Sequence, residues 1–433
     1  MAFELLIHGV DYTNEFLKET LVIRESLQAR GSTMSCAVQA DVGSVVVPPK
    51  AGQQVVFKRD GIIEFAGRVS NVLETQPLGA KNLIYKMNCT DYTIDLDAHL
   101  IIRDYPSQAA SDIVRSIVGD VGLGFTTNNI AGGTIIVGEL EADYDRPSDM
   151  ISRVAESIEH QWYVDYLRDM HFFYVLDEPA PLEVINIDTD TDTYFDLERE
   201  EMWDQVKNRI WLKGAKVKSD NLDNIVFTAD GDQKFVALNY EPWSTEALEV
   251  TVNGVPYNVL LDTVDGQAGD GTGGPGEVFL CIDNWGVRFP EGHQPSEGIP
   301  VEIDYNYANE VVVMVEDPES IAIMAEREHI EGAPSDGVHE LKFEIPSLRV
   351  ESSQTIWEYG QLLLARYAKL VWAYRFSSHY QGWRAGQNTR IVSAARGVDH
   401  RLYVTGVTKT IRTQVEQSLF EYQIEAQTSP FPG

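Results

Sequence analysis

The run Gln54-Val-Val-Phe-Lys-Arg-Asp-Gly-Ile-Ile-Glu-Phe-Ala-Gly-Arg-Val-Ser70 alternates apolar and polar side chains on both sides of Asp60-Gly61. Alternation at period two marks strands with one buried face. A tight turn between paired strands needs positive φ at its centre, which Asp-Gly supplies, so the run predicts a β-hairpin. Outward from it the same period extends from Phe3 to Asn88, with turn marks at Gly31-Ser32, Pro48-Pro49 and Leu78-Gly79. Short strands at this spacing suit a small antiparallel barrel or sandwich. Residues 1–104 therefore read as one all-β domain.

Beyond it the period changes. Ala110, Ile113, Val114 and Ile117 recur at helical spacing, with Ser107 placed to cap the helix and Gly119 to end it. Ile151, Val154, Ala155 and Ile158 give a second apolar stripe, followed by strand candidates at 162–166 and 171–176. Residues 105–202 read as an α+β domain. A strand at 208–217 leads into β-rich sequence with another hairpin signal at Asn253-Gly254, and 220–313 reads as an inserted β-sandwich module. Within it, 262–276 is rich in glycine and acid and reads as an exposed loop. The last segment resumes with strands near Ser320-Ile-Ala-Ile and at 341–345. A helix at 353–372 follows, capped by Ser353, and then strands near 390, 402 and 420. The fold class is β-rich α+β and multidomain.

The chain has 433 residues and a net charge of −33, which disfavours a nucleic-acid clamp built on phosphate neutralisation. Acidity is regional: Glu139–Asp204 holds 20 acidic and 4 basic residues, whereas Lys342–Gly433 holds 7 acidic and 11 basic. Cys36, Cys89 and Cys281 have neither zinc-site nor disulfide-framework spacing, which fits synthesis in a reducing compartment. Neither a signal-peptide pattern nor an uninterrupted apolar run long enough to span a membrane is read.

Chemical motifs are weak. Asp188-Thr-Asp-Thr-Asp-Thr resembles the start of a calcium loop, but Thr193 and Arg199 stand where an EF-hand needs Gly and Glu. The glycine-rich run at 265–276 lacks the Lys-Ser/Thr ending of a phosphate loop. Neither His-Glu-x-x-His nor Gly-x-Ser-x-Gly occurs. The abundant carboxylates do not by themselves define the acid and base of a glycosidase. No catalytic residue, cofactor or metal ligand is assigned. Trp243 and Trp285 are candidates for stacking on a glycan.

The hairpin at Arg59–Val69, the strand carrying Cys89-Thr-Asp-Tyr, the pair Arg103 and Tyr105, and the helix opening Ser107-Gln-Ala-Ala-Ser-Asp-Ile-Val together resemble the baseplate-hub or tail-tip-hub proteins of tailed phages. That family is related to the hub part of type VI secretion spikes. Val250-Thr-Val-Asn-Gly-Val-Pro and Asp317-Pro-Glu-Ser-Ile resemble the inserted module and return strand of such hubs. The resemblance implies two barrels, residues 1–104 and the discontinuous pair 203–219 plus 314–433. It further implies a homotrimer whose pseudo-sixfold ring joins the sixfold tail tube or distal-tail ring to a threefold central spike or fibre. DNA would pass through the ring as cargo without specific binding, and the protein would reside in the virion after synthesis in the host cytoplasm. An acidic lining of that channel, with Asp188, Asp190 and Asp192 as candidates, would keep DNA off the wall. The last strand is followed only by Gln427–Gly433, so a fibre or wall-cutting activity is expected in another protein. Two alternatives stay open: a glycan-binding adhesin using the module, and a peptidoglycan-degrading enzyme.

Overall fold

The computed structural model describes residues 2–27, 31–41, 47–76, 81–131, 133, 135–137, 140–158, 160–174, 178–190, 192–261, 274–281, 284–344, 353–414 and 417–428. It is 53% strand and 15% helix, the β-rich composition that the alternation predicts. The Leu78-Gly79 turn and most of the glycine-rich loop, 262–273, lie outside the described residues.

Strands Gln54–Arg59 and Ile62–Thr75 pair antiparallel around Asp60 and Gly61, at φ +47° and +83°. Val55, Phe57, Phe65 and Val69 point into the core. The pairing steps from Phe57–Phe65 to Lys58–Ile63, so Glu64 is a bulge residue without a cross-strand partner. Such bulges re-aim a side chain, and Glu64 is buried. Strand Asn82–Asp91 lies alongside, and Gly67 faces it so closely that a Cβ would stand 2.1 Å from the Thr90 carbonyl oxygen. Only glycine fits there.

These strands belong to a 13-stranded sheet that joins both ends of the chain. Phe3–Ile7, Gln54–Arg59, Ile62–Thr75, Asn82–Asp91 and Thr33–Asp41 follow one another in that order. The chain after strand Val10–Asp11 returns to Thr33–Asp41 through the Phe16–Val38 bridge. Val22–Ser26 then pairs with Val398–Gln414, and the sheet runs on through Gln417–Gln427 and Val371–Ser378 to Phe195–Met202. Asn388–Ser393 and Pro179–Asn186 extend it from Val398–Gln414.

Among the described residues there are five α-helices: α1 (Thr93–Leu96), α2 (Ala110–Val121), α3 (Pro147–Ile158), α4 (Pro318–Arg327) and α5 (Ser353–Tyr367). The predicted stripes of α2 and α3 are buried beside a small sheet of Thr126–Ile130, Asp169–Tyr174 and His160–Val164. This unit shares one continuous apolar core with the 13-stranded sheet. Ser107 does not cap α2. Its hydroxyl donates to the Val137 carbonyl at 3.0 Å, and the helix begins two residues beyond its predicted start.

The second sheet has eight strands, in the order Phe235–Ala237, Gly286–Arg288, Glu277–Cys281, Val255–Leu261, Leu248–Val252, Pro300–Glu316, Arg209–Thr228 and Glu340–Glu344. Asn253-Gly254 forms the expected turn, at φ +53° and +73°. Two long strands, Arg209–Thr228 and Pro300–Glu316, run through two separate apolar clusters. One cluster lies inside the module, around Val250, Val278 and Ile303, and the other lies at the base, where α5 covers Ile210, Leu212 and Val315. Gly360 of α5 sits against the base, with a hypothetical Cβ 2.6 Å from Leu212 Cδ1, which accounts for a glycine in mid-helix.

The boundaries at 219/220 and 313/314 fall inside the long strands Arg209–Thr228 and Pro300–Glu316. Residues 209–218 pair with 308–316 and 340–344, and 371–427 pair with 179–202 and with the N-terminal strands. The segment Ser320-Ile-Ala-Ile is helix and not strand. Asp317 accepts from the Glu319 and Ser320 amides and Pro318 opens α4, a start signal that outweighs a short apolar run. The 353–372 helix stops at Tyr367, and the Ser353 side chain lies outside the described residues.

Candidate functional site

The bulge aims Glu64 at a cluster of buried charges where three parts of the chain meet. Lys409 Nζ stands 2.8 Å from Glu25 and 3.3 Å from Glu64, with both ion pairs almost fully buried. Tyr422 donates to Glu64 at 2.7 Å and Tyr166 to Glu25 at 2.8 Å. Arg59 lies 3.4 Å from Glu64, with its guanidinium over the rings of Phe420 (4.8 Å) and Tyr422 (5.3 Å). Burial alone would raise the Glu25 carboxyl, but Lys409 and Arg384 beside it hold it below its ordinary value. Burial pushes the Tyr422 and Tyr166 hydroxyls well up, so they remain donors. Buried charges of this kind fix one arrangement of the chain more than they add stability. Here they fasten the N-terminal strands, the α+β unit and the C-terminal strands together.

Beside this cluster lies a cavity of about 630 Å³ with Glu25, Asp91, His160, Tyr163, Tyr166 and Arg384 on its wall. That volume would hold a small molecule. Its polar groups, however, are turned toward one another. Asp91 accepts from the Ser32 and Thr93 amides, and burial raises its carboxyl. Tyr163, pushed up to about 12 chiefly by burial, bonds His171 Nδ1 at 3.1 Å. Trp162 donates to Ser152 at 3.1 Å. These bonds join structural units rather than converge on a point where a substrate would react.

The acidic triplet is a turn. Asp188 accepts from the Ser393 hydroxyl at 2.7 Å and the Ala395 amide at 3.1 Å, bonds that hold its carboxyl below the usual range. Asp190 accepts from the Asn186 amide at 2.8 Å, and Asp192 is exposed. Among the described residues no group of three or more His, Cys, Asp or Glu side chains is placed to hold a metal ion.

Trp243 and Trp285 are 42% and 46% exposed, and their backbones lie at the two ends of the segment Leu238–Trp243. The Leu238 amide donates to the Trp285 carbonyl at 2.7 Å and the Trp243 amide to the Asn306 carbonyl at 2.9 Å. Between those points Tyr240 stacks on Tyr307, with ring centroids 4.6 Å apart.

No protein-family model matches the sequence, and no curated protein matches it. Solved structures do. The 43 kDa tail protein of prophage MuSo2 from Shewanella oneidensis is 11% identical with a TM-score of 0.57, over 99% of this chain and 98% of that one. A tail protein from Neisseria meningitidis is 8% identical with a TM-score of 0.57, over 98% and 96%. The prophage tail protein gp18 from Listeria monocytogenes is 10% identical with a TM-score of 0.50, over 98% and 94%. The fold is that of phage tail proteins.

In this tail-protein fold the motif residues quoted from the sequence are neighbours. Gly67 packs on Thr90, Asp91 ties two loops, and Arg103 and Tyr105 both bond Asp120 at the end of α2, at 2.8 Å. Sequence reasoning missed Glu64, Lys409, Tyr240 and Tyr307. The only trace of the first two is an ionisable residue in an otherwise apolar or β-branched run, Ile-Ile-Glu64-Phe-Ala and Val-Thr-Lys409-Thr-Ile.

Proposed function

We propose that this protein is a structural hub of a phage tail tip or baseplate, a homotrimer that adapts the sixfold tube or distal-tail ring to a threefold spike or fibre and leaves a channel for DNA. The observation that carries the reading is likeness to phage tail proteins over nearly the whole of both chains. The two barrel positions of the subunit are assigned to the N-terminal strands, 3–91, and to the C-terminal strands, 371–427, with 179–202. The buried charge cluster and the direct pairing of Val22–Ser26 with 406–410 fasten them, as a rigid adapter requires. The role is assembly and not turnover, which agrees with cavity walls whose polar groups are mutually bonded. Channel-facing acidity is assigned to Asp192 and the edge strand Phe195–Met202, whose carboxylates also discourage strand addition, while Asp188 and Asp190 hold their turn.

The test is the mass of the purified protein in solution, followed by imaging of intact particles. Three 48.5 kDa chains per complex, in a ring at the tail tip, are expected. A single copy within the native particle would overturn the proposal.

A further inference from the structure

We infer that the aromatic edge of the inserted module binds a neutral saccharide through the stacked pair Tyr240–Tyr307. The pair is nearly parallel, at 25°, and Tyr240 is 50% exposed, so it offers one flat ring face to solvent. Trp285, whose carbonyl accepts from the Leu238 amide two residues before Tyr240, stands at φ +43°, a conformation costly for a bulky residue. Its neighbour Gly286 lies under the Phe235 ring, where a Cβ would stand 2.0 Å from a ring carbon. Tyr307 packs its inner side against the module's core, which is filled by Val278, Leu280, Phe289 and Tyr305, whereas Tyr240 and Trp285 lie outside that core.

Size and charge narrow the occupant. An aromatic side chain buries roughly 150–250 Å² when fully covered. Tyr240, Trp243 and Trp285, each about half exposed, thus offer about 300 Å², far below the roughly 800 Å² per partner of a stable protein interface. Residues 220–313 carry 17 acidic and 2 basic side chains, a field that repels phosphates and nucleotides. An organic cation suits that field, but its recognition uses rings caged around a point, whereas these rings lie flat on one another. A sugar has an apolar C–H face for the ring and hydroxyl donors for acidic surroundings. This inference is independent of the hub reading, since ligand binding and subunit number are measured separately.

The experiment titrates the full chain with maltohexaose, cellohexaose, xylohexaose and N-acetylchitohexaose by calorimetry. Saturable binding of at least one is expected. It should weaken about tenfold in Tyr240→Ala and Tyr240→Leu, a factor equal to about 1.4 kcal/mol, and stay unchanged in Trp357→Ala on α5. The Leu variant keeps bulk without the ring, and thermal melts confirm that each variant is folded. Absence of saturable binding, binding unaffected by both Tyr240 variants, or tighter binding of choline or oligothymidylate at the same edge would overturn the inference.

Discussion

Gly67 shows how far a single atom controls the hairpin. Because its missing Cβ is replaced by the Thr90 carbonyl, a backbone group that cannot swing away, Gly67→Ala must separate two paired strands. A loss of about 3 kcal/mol or more is expected in urea denaturation. Gly360→Ala should cost less, since it meets only the side-chain ends of Leu212 and Val315. Lys409→Met leaves Glu25 and Glu64 buried without their shared cation and should cost roughly 3–5 kcal/mol. Changing Glu25 and Glu64 to Gln in the same chain should recover much of that. The pH dependence has a definite sign. The folded pKa of Glu25 lies below its ordinary 4.5, so its ion pair contributes fully above that pH and is lost as pH falls below it. Urea midpoints of the parent should therefore drop below about pH 4.5, and those of the variant with all three substitutions should drop less.

At the level of elements, α4 depends on the residue that caps it, Asp317. The Asp317 carboxylate takes both leading amides, at 3.1 and 3.0 Å, so Asp317→Ala should cost about 1 kcal/mol. That should appear as roughly fivefold faster amide exchange in the first turn of α4, with the sheets unaffected. The same helix marks where reading the sequence fails. Hairpins at Asp60-Gly61 and Asn253-Gly254 and the stripes of α2 and α3 were legible because turn chemistry and periodicity are local. Ser320-Ile-Ala-Ile misleads because four apolar-leaning residues carry no period, and the capping Asp-Pro pair was the better guide. The pairing of Val22–Ser26 with 406–410 has no local signal, since it joins segments almost four hundred residues apart. For the same reason the Glu25–Lys409–Glu64 cluster was invisible. Trp243 and Trp285 could be named as exposed aromatics, but the Tyr240–Tyr307 stack between them depends on chain reversal at the module's far edge.

On the scale of the whole molecule, the two long strands Arg209–Thr228 and Pro300–Glu316 act as a stalk. The module core draws only on residues 229–305, with partly buried neighbours from 225 to 307, and the base core draws on Ile210, Leu212, Val313, Val315, Leu341, Phe343 and α5 with Ala368. Neither cluster borrows a side chain from the other. Replacing residues 219–307 with Asn-Gly would join Lys218 to Ala308, which already face each other in the ladder, through the type of turn that closes a hairpin. The bonds of Ser219 with Tyr307 and Asn306 would go with the module, while the Ala308 amide, which donates to the Glu241 carbonyl at 2.8 Å, would exchange that partner for solvent at the new turn. The shortened chain should therefore keep its far-ultraviolet spectrum per strand, unfold cooperatively near the parent's temperature, and form the same number of subunits per complex. It should lose saccharide binding completely. Collapse of the base on removal would show that the two cores fold as one, and that the ribbon transmits stability along its length instead of merely carrying the module.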